Sequence, residues 1–214
     1  MKPNRIILVR HGESQGNLDN SLYETTPDYA LKLTEQGISQ AKQAGREIKS
    51  LIGDESIYVY FSPFFRTRET FQHIRESIND NVIKAIEDPR IREQDWGHLR
   101  HPDDNKEIMK ARDDFSTFYF RVPDGESGAD VYDRVTTFLD TMHRDFEKHN
   151  YPENVLIVSH GLTIRLFLMK WFHWSVEEFE SLHNPKNCQI FIMEKQIDDH
   201  YILISELSKK PASK

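Results

Sequence analysis

Short runs of apolar residues alternate along the chain with longer stretches in which apolar residues recur every three or four positions. A short apolar run is typical of a buried strand, and the three- to four-residue spacing is typical of a helix with one buried face. Six strands are predicted in this way: Ile6–Val9, Ile57–Phe61, Val82–Ile86, Val155–Val158, Gln189–Met193 and Tyr201–Ile204. Because helical stretches separate most of these strands, the pattern predicts an α/β fold.

Polar residues stand where several of the predicted helices begin. Thr34 precedes a helix that starts at about Glu35, and Ser175 with Glu178 has the spacing of a capping box. Ser62-Pro63 is expected to provide the N-cap and the first-turn proline of the helix that follows the second strand. These signals support a fold built from layers of strands and helices.

The composition is that of a folded chain of ordinary size. The protein has 214 residues, of which 37% are hydrophobic, which is enough to bury a core. No repeat, linker or shift in composition divides the chain. We therefore expect a single domain over residues 1–207, followed by a flexible tail at residues 208–214.

Net charge and cysteine content restrict the expected binding partners and cellular compartment. The formal net charge of −7 disfavours binding to nucleic acid or to anionic lipid. No apolar run approaches the roughly 18 residues that a membrane helix needs, and the single cysteine, Cys188, suits a reducing compartment. We expect a cytoplasmic protein with no nucleic-acid partner and no membrane insertion, while small anionic ligands stay compatible with the sequence.

Basic and imidazole side chains follow three of the predicted strands. Ile6–Val9 runs into Arg10 and His11, Ile57–Phe61 runs into a segment with Arg66, and Val155–Val158 runs into His160. In open α/β sheets, ligands bind beyond the carboxyl ends of the strands. If these strands are parallel neighbours, two guanidiniums and two imidazoles converge, and a tetrahedral oxyanion satisfies so many donors. The sequence therefore predicts a phosphate site.

Six short motifs extend this pattern over nearly the whole chain. They are Arg10-His11-Gly12-Glu13-Ser14 with Asn17, Leu33-Thr34-Glu35 with Gly37, Ser62-Pro63 to Thr70, Arg92-Glu93 with Trp96-Gly97, Gly125-Glu126-Ser127, and Ser159-His160-Gly161. In this set and order the chain resembles the histidine phosphatase superfamily, in its cofactor-dependent phosphoglycerate mutase-like branch. It is most similar there to the plant and fungal phosphoglycerate mutase-like proteins that include broad-range acid phosphatases. The resemblance implies a three-layer sandwich with a mostly parallel central sheet flanked by helices.

The resemblance also implies roles for individual residues. His11 is expected to be the nucleophile that becomes a phosphohistidine, while Arg10, Arg66 and His160 hold the phosphoryl oxygens. Glu93 is expected to be the proton donor to the leaving group. The scheme is chemically coherent, because flanking cations favour a neutral imidazole and stabilise charge on the phosphoryl oxygens.

Other positions complete the expected site. Asn17 is a candidate donor of a further hydrogen bond to the phosphate, and Gly161 is a candidate phosphate neighbour because it adds little side-chain bulk. Asp95 and Glu126 stay open as alternatives to Glu93 for the acid. We expect no cofactor and no metal site.

Aromatic residues near the predicted site suggest its rim. The segment Leu18–Leu31 has no clear periodicity, and long loops of that kind often border a site. Tyr23, Tyr29, Trp96 and Phe118 are the expected rim residues.

Three functions stay open at this point: a phosphatase of small phosphomonoesters, a phosphoglycerate mutase with the same intermediate, and a non-catalytic module that binds a phosphorylated ligand. All the expected catalytic residue types are present, which disfavours the module. The mutases of the family carry a longer, base-rich insertion between Glu93 and Glu126, which are 33 positions apart here. Because hydrolysis of phosphohistidine needs water at the site, the short interval favours a phosphatase of a small phosphorylated metabolite. The sequence leaves the oligomeric state open.

Overall fold

All six predicted strands form, and they lie in one sheet. The computed structural model describes residues 2–97 and 102–211, with the backbone alone for residues 102–105. Within these residues the strands are β1 (Arg5–Arg10), β2 (Ile57–Phe61), β3 (Val82–Glu87), β4 (Asn154–Ser159), β5 (Ile190–Lys195) and β6 (Tyr201–Leu203). Their order is β3-β2-β4-β1-β5-β6; the first four strands are parallel to one another, and β5 pairs antiparallel with both β1 and β6. The predicted α/β class with a mostly parallel sheet is confirmed.

Helices cover both faces of this sheet. They are α1 (Gln15–Leu18), α2 (Glu35–Ile52), α3 (Phe65–Ile78), α4 (Pro102–Phe115), α5 (Gly128–Phe146), α6 (Gly161–Phe172) and α7 (Val176–Glu180). Ile6 and Leu8 of β1 join the core formed with α5 and α6, whereas Ile7 and Val9 join the core formed with α2 and α3. Successive side chains of a strand point to opposite faces, so a strand that is apolar throughout needs a layer on each side. The three-layer architecture is confirmed. Among the described residues, no helix has the length and apolar character that crossing a membrane requires.

The carboxyl ends of β1, β2 and β4 meet at one edge of the sheet. Arg10 at the end of β1 lies opposite Ser159 of β4, and Phe61 at the end of β2 lies opposite Val158 of β4. The three loops that follow these strands therefore start from neighbouring positions. This register is the condition on which the predicted convergence of basic and imidazole side chains depends.

One predicted helix start is wrong. Ser62-Pro63 does not cap α3, which begins two residues later at Phe65 and has no side-chain cap. The Ser62 hydroxyl is instead hydrogen-bonded to the ring of His160, at 2.8 Å, and also accepts from the backbone N–H of Phe64, the residue before the helix, at 3.4 Å. The predicted caps at Thr34 and Ser175 are confirmed, since each hydroxyl accepts a hydrogen bond from a first-turn backbone N–H.

The first residues of the predicted flexible tail pack against the domain. The carbonyl of Ser208 accepts a hydrogen bond from the backbone N–H of His183, at 2.9 Å, and the N–H of Lys210 donates to the carbonyl of Ser181, at 2.7 Å. Ser208 and Lys210 thus have paired backbone groups, and the flexibility of residues 208–214 stays a prediction. Residues 212–214 lie outside the described residues.

Phe138→Ala is expected to destabilise the protein strongly. Phe138 on α5 is fully buried and packs edge-on against Tyr60, with ring centroids 5.1 Å apart. Removing so large a buried side chain lowers the free energy of unfolding by about 3–5 kcal/mol, measurable by urea denaturation. Ile197→Ala, at a fully exposed position, is the control and should change it by less than about 0.5 kcal/mol. Similar losses for the two variants would contradict the assignment of Phe138 to the core.

Candidate active site

His11 lies in the first loop of the site with its tautomer set by the backbone. Its Nδ1 is 2.8 Å from the carbonyl oxygen of Gly12, and the side chain is 2% exposed. A carbonyl only accepts hydrogen bonds, so Nδ1 carries the proton and Nε2 keeps its lone pair. At Gly12 a Cβ atom would lie 2.6 Å from the carbonyl oxygen of Gly37, so only glycine permits this tight turn. The backbone therefore presents His11 with the nitrogen that a nucleophile needs.

His160 faces His11 from the loop after β4. The two rings have their centroids 5.2 Å apart, and His160 is fully buried. Its Nε2 is hydrogen-bonded to Ser62, whereas its Nδ1 has no partner and lies 3.6 Å from Oε2 of Glu93. His160 is also the N-cap of α6, and no side chain caps that helix. The free backbone N–H groups at a helix N-terminus attract an anion.

The two predicted arginines are both held in the site. Arg10 donates from Nη1 to the carbonyl oxygen of Pro185, at 2.6 Å, and its buried Nε has no partner. Arg66 is 3% exposed and donates to the carboxylate of Asp28, at 2.7 Å, and to the carbonyl oxygen of the same residue, at 2.8 Å. Sequence reasoning did not assign Asp28 to the site, although it lies in the segment Leu18–Leu31 that was expected to border it.

Burial and positive charge act together on the two imidazoles. Desolvation lowers the pKa of His11 well below its ordinary value, and the charges of Arg66 and Arg10 lower it further. The pKa of His160 is lowered in the same way, first by desolvation and then by Arg66. Both rings are therefore neutral at neutral pH. A site with fixed guanidiniums and neutral imidazoles is suited to an oxyanion.

Glu93 is the carboxyl group that lies with the two histidines. Desolvation raises its pKa, although Arg66 opposes that shift. Its Oε1 accepts a hydrogen bond from the backbone N–H of Gln94, at 3.0 Å. Of the alternatives, Asp95 is exposed and accepts from the N–H of Gly97. Geometry and burial both favour Glu93 over Asp95 as the candidate acid, because desolvation raises the pKa of its carboxyl group.

A buried ion-pair network holds the segment that carries Glu93. Arg134 on α5 donates to the carbonyl oxygens of Arg92 and Glu93, at 2.9 Å each, and to both carboxylate oxygens of Glu126, at 3.0 Å each. Glu126 also accepts from the guanidinium of Arg92, at 2.6 Å. Glu126 is thus fully engaged in holding the loop, and Glu93 stays the candidate acid. Sequence reasoning did not single out Arg134, because nothing in the spacing shows which loop it reaches.

The two remaining predicted phosphate neighbours differ in their surroundings. Asn17 uses its side-chain oxygen to accept from the N–H of Ser14, at 3.0 Å, and from the side-chain amide of Asn187, at 3.2 Å. Its amide nitrogen donates to none of the described residues, so it is free to bind a ligand. Gly161 is the first residue of α6 and is buried next to the side chain of Asn184.

A cavity of about 540 Å³ opens beside Glu93. We call it the acidic cavity; it is lined by residues 23–29, by Phe64 and by residues 92–97. Tyr23, Tyr29 and Trp96 line it as expected. Phe118 does not: it is 8% exposed and packs in the core against Phe179, so its assignment to the rim is wrong. An apolar side chain next to α7 gains more from that core than from a solvated rim.

The central groups also have the spacing of metal ligands. His11, Glu93 and His160 offer ligand atoms that lie within 4.8 Å of one another. Arg10 and Arg66 act electrostatically on Glu93 and on His11. The fixed positive charges of these two arginines repel a metal cation and attract an anion. The donor set therefore fits a phosphoryl group better than a metal ion.

Comparison with known proteins agrees with this geometry. The family model described as histidine phosphatase superfamily (branch 1) matches residues 6–204. The chain is 47% identical over 205 residues to phosphoglycerate mutase-like protein AT74 of Arabidopsis thaliana, a match that covers 90% of this chain and 65% of AT74. It is 30% identical to the broad-range acid phosphatase DET1 of Saccharomyces cerevisiae, with 97% of this chain and 90% of DET1 covered.

The fold is shared with solved structures. The mycobacterial glucosyl-3-phosphoglycerate phosphatase in complex with VO3 matches with a TM-score of 0.69 and 21% identity, over 98% of this chain and all of that one. Structural similarity at this level of sequence identity shows a shared fold only. The chain spans just under two thirds of the length of AT74. The match of the family model over nearly all its residues, together with the motifs assembled at one sheet edge, shows that the chain belongs to the histidine phosphatase superfamily, branch 1.

Proposed function

We propose that the chain is a phosphatase that hydrolyses small phosphomonoesters through a phosphohistidine on His11. The observation that carries the proposal is the tautomer of His11, whose unprotonated Nε2 lies in a buried site with Arg10 and Arg66. A histidine attacks phosphorus only through an unprotonated nitrogen, and the guanidiniums stabilise the charge of the phosphoryl oxygens. The neutral ring and the fixed cations are both in place before the substrate binds.

In the first step, Nε2 of His11 forms a bond to phosphorus while the bond from phosphorus to the ester oxygen breaks. Glu93 gives its proton to the departing oxygen, so the product is a neutral alcohol. Arg10, Arg66 and His160 hold the three non-bridging oxygens. The ring becomes cationic as it is phosphorylated, and the carbonyl of Gly12 stabilises that charge through the Nδ1 hydrogen bond.

In the second step, water attacks the phosphorus atom of the phosphohistidine. Glu93, now a carboxylate, takes a proton from the water, and the bond from phosphorus to Nε2 breaks. Inorganic phosphate leaves and both residues return to their starting states. The side-chain amide of Asn17 and the backbone N–H of Gly161 add hydrogen bonds to the phosphate in both steps.

The acidic cavity favours this reaction over the mutase reaction. Glu24 and Asp95 line it without an ion pair in the described part of the chain, whereas Asp28 pairs with Arg66 and the cavity's arginine, Arg92, pairs with Glu126. A phosphoglycerate carries a carboxylate beside its phosphate, and this lining repels it. Uncharged leaving groups fit the aromatic walls instead. A phosphoglycerate mutase stays the second candidate because of the resemblance to that branch.

The cellular setting follows from the same properties. We propose that residues 1–207 act as one catalytic domain in the cytoplasm, with small phosphorylated metabolites as substrates and no nucleic-acid partner. The net charge of −7 and the free Cys188 support this setting.

The first prediction concerns turnover and the covalent intermediate. The wild-type protein should release inorganic phosphate from several sugar and aryl phosphates without added 2,3-bisphosphoglycerate. His11→Ala should lower kcat by on the order of 10³-fold or more, because no neighbouring group replaces the nucleophile. Rapid acid-free quenching should trap labile phosphate on the wild type and none on the variant.

Two results would contradict this prediction in different ways. Phosphoglycerate interconversion that depends on bisphosphate and releases little phosphate would identify a mutase. Activity of His11→Ala within tenfold of the wild type would show that another group is the nucleophile.

Glu93→Gln should separate substrates by their leaving groups. The amide cannot donate a carboxylic proton, so sugar phosphates should react about 10² times more slowly or worse. An aryl phosphate should be much less affected, since phenolate leaves without protonation. The pH profile of kcat/KM gives a second measure, because the alkaline limb caused by ionisation of Glu93 should disappear. Asp95→Asn is the matched control and should keep both properties; equal losses on both substrate classes would show that Glu93 is not the acid.

Asp28→Asn should strengthen phosphate binding. The carboxylate of Asp28 occupies Arg66, so a substrate phosphate has to displace it. Removing that charge should lower KM for an aryl phosphate and the inhibition constant of inorganic phosphate by about threefold to tenfold. Glu24→Gln, in the same segment but without a contact to Arg66, should change neither value. A rise in both constants would show that Asp28 mainly orients Arg66 for the substrate.

A further inference from the structure

A second cavity, of about 550 Å³, has the opposite charge to the acidic cavity. We call it the basic cavity; its charged and titratable lining consists of Arg112, Asp113, Arg165, His183, Lys186 and Lys210. Four of these side chains are permanently cationic at neutral pH, and one is acidic. None of them belongs to the proposed catalytic machinery. The lining is therefore positive in a chain whose net charge is −7.

Arg112 on α4 is the least satisfied of these cations. It is 8% exposed, its Nε has no hydrogen-bond partner, and its guanidinium forms no ion pair within the described part of the chain. The guanidinium carbon lies 5.1 Å from the ring centroid of Trp96, and Asp113, Glu93 and Glu180 act on the charge electrostatically. Burying the Nε–H donor without a partner is costly, and the Nη donors form no hydrogen bond within the described part of the chain. Arg112 thus has donors ready for an anion.

Arg165 on α6 adds a second buried guanidinium. It is 3% exposed and donates to the side-chain oxygen of Asn184, at 3.0 Å, and to the carbonyl oxygen of Phe179, at 2.7 Å, while its Nε has no partner. Desolvation lowers its pKa to about 10, and the positive charge of Arg112 acts in the same direction. Glu180 acts on both guanidiniums in the opposite direction, but its Oε1 already accepts from the Ser116 hydroxyl and the Phe118 N–H. Two positive charges are thus buried near one carboxylate, and a bound anion would relieve the remaining repulsion.

The wall of the basic cavity is shared with the catalytic centre. Asn184 lines the cavity, and a Cβ atom at Gly161 would lie 3.2 Å from its side chain. The next residue, Pro185, accepts the hydrogen bond from Arg10. Trp96 lines the acidic cavity while its ring contacts Arg112. The basic cavity thus adjoins the catalytic centre but has its own donors.

We propose that the basic cavity binds a phosphate-type oxyanion as a second anion site. The unpartnered donors of Arg112 and Arg165 hold the anion, and Lys186 and Lys210 attract it from the mouth of the cavity. The anion is either a free phosphate group or the second phosphate of a doubly phosphorylated substrate. The site follows from burial and charge, and it does not depend on the proposed hydrolysis.

Binding is tested with inorganic phosphate in a variant whose proposed catalytic site binds phosphate more weakly. In Arg66→Ala, phosphate should raise Tm by about 4 °C or more relative to potassium chloride of equal ionic strength. Adding Arg112→Gln should abolish this rise. Adding Lys110→Gln should preserve it, because Lys110 is exposed and pairs with Asp114 on the same helix. Lys186→Gln provides a surface variant that should weaken the rise even if Arg112→Gln does not fold.

A rise in Tm that is equal in all these variants would overturn the proposal, as would no rise in Arg66→Ala. The source of the anion is tested separately by turnover of matched mono- and bisphosphorylated sugars in the otherwise wild-type protein. A bisphosphate preference in kcat/KM that Arg112→Gln removes identifies the substrate's second phosphate. Loss of phosphate binding without any change in that preference identifies a free anion. The Tm readout needs no turnover, so it stands or falls separately from the phosphatase assignment.

Discussion

Two guanidiniums and two imidazoles are buried together at one edge of the sheet. Little water reaches them, so the surrounding protein groups have to stabilise the charge of the guanidiniums and the neutral form of the imidazoles. Desolvation and mutual repulsion keep the imidazoles of His11 and His160 unprotonated. The guanidinium of Arg66 is paired with Asp28, and that of Arg10 donates to the carbonyl oxygen of Pro185. The cluster is stable only because each group has a partner of suitable charge or polarity.

The same partners prepare the site for chemistry. The carbonyl of Gly12 accepts one ring proton and thereby selects the reactive nitrogen of His11. Arg134 donates to the backbone carbonyls of Arg92 and Glu93 and so holds the Glu93 carboxyl group in a desolvated position, which raises its pKa. The free energy needed to arrange these groups is spent when the protein folds, and the packed core offsets it. Little reorganisation is then left for the reaction itself.

Trp96 lies between two cavities of opposite charge. On one side it lines the acidic cavity with Asp28 and Asp95, and its ring contacts Arg112 of the basic cavity. The segment from Glu93 to Trp96 therefore lies next to His160, lines the acidic cavity and contacts Arg112 of the basic cavity. The proposed leaving-group site and the proposed second anion site would therefore share this segment.

The sequence by itself determined the sheet, its two covering layers and the identity of the central groups. Buried parallel strands are apolar throughout, so β1, β2 and β4 were visible as short runs, and the residues that follow them had to meet once the strands were parallel neighbours. Only the tertiary structure decided which partner each polar group has. Four contacts join segments that are far apart in the chain. They are the ion pair of Asp28 with Arg66, the hydrogen bond of Ser62 with His160, the hydrogen bonds of Arg134 to the loop of Glu93, and the packing of Phe118 in the core. Periodicity reports which face of an element is buried, but the distance between two side chains on different elements is set by packing, and that is why these contacts could not be predicted from the sequence.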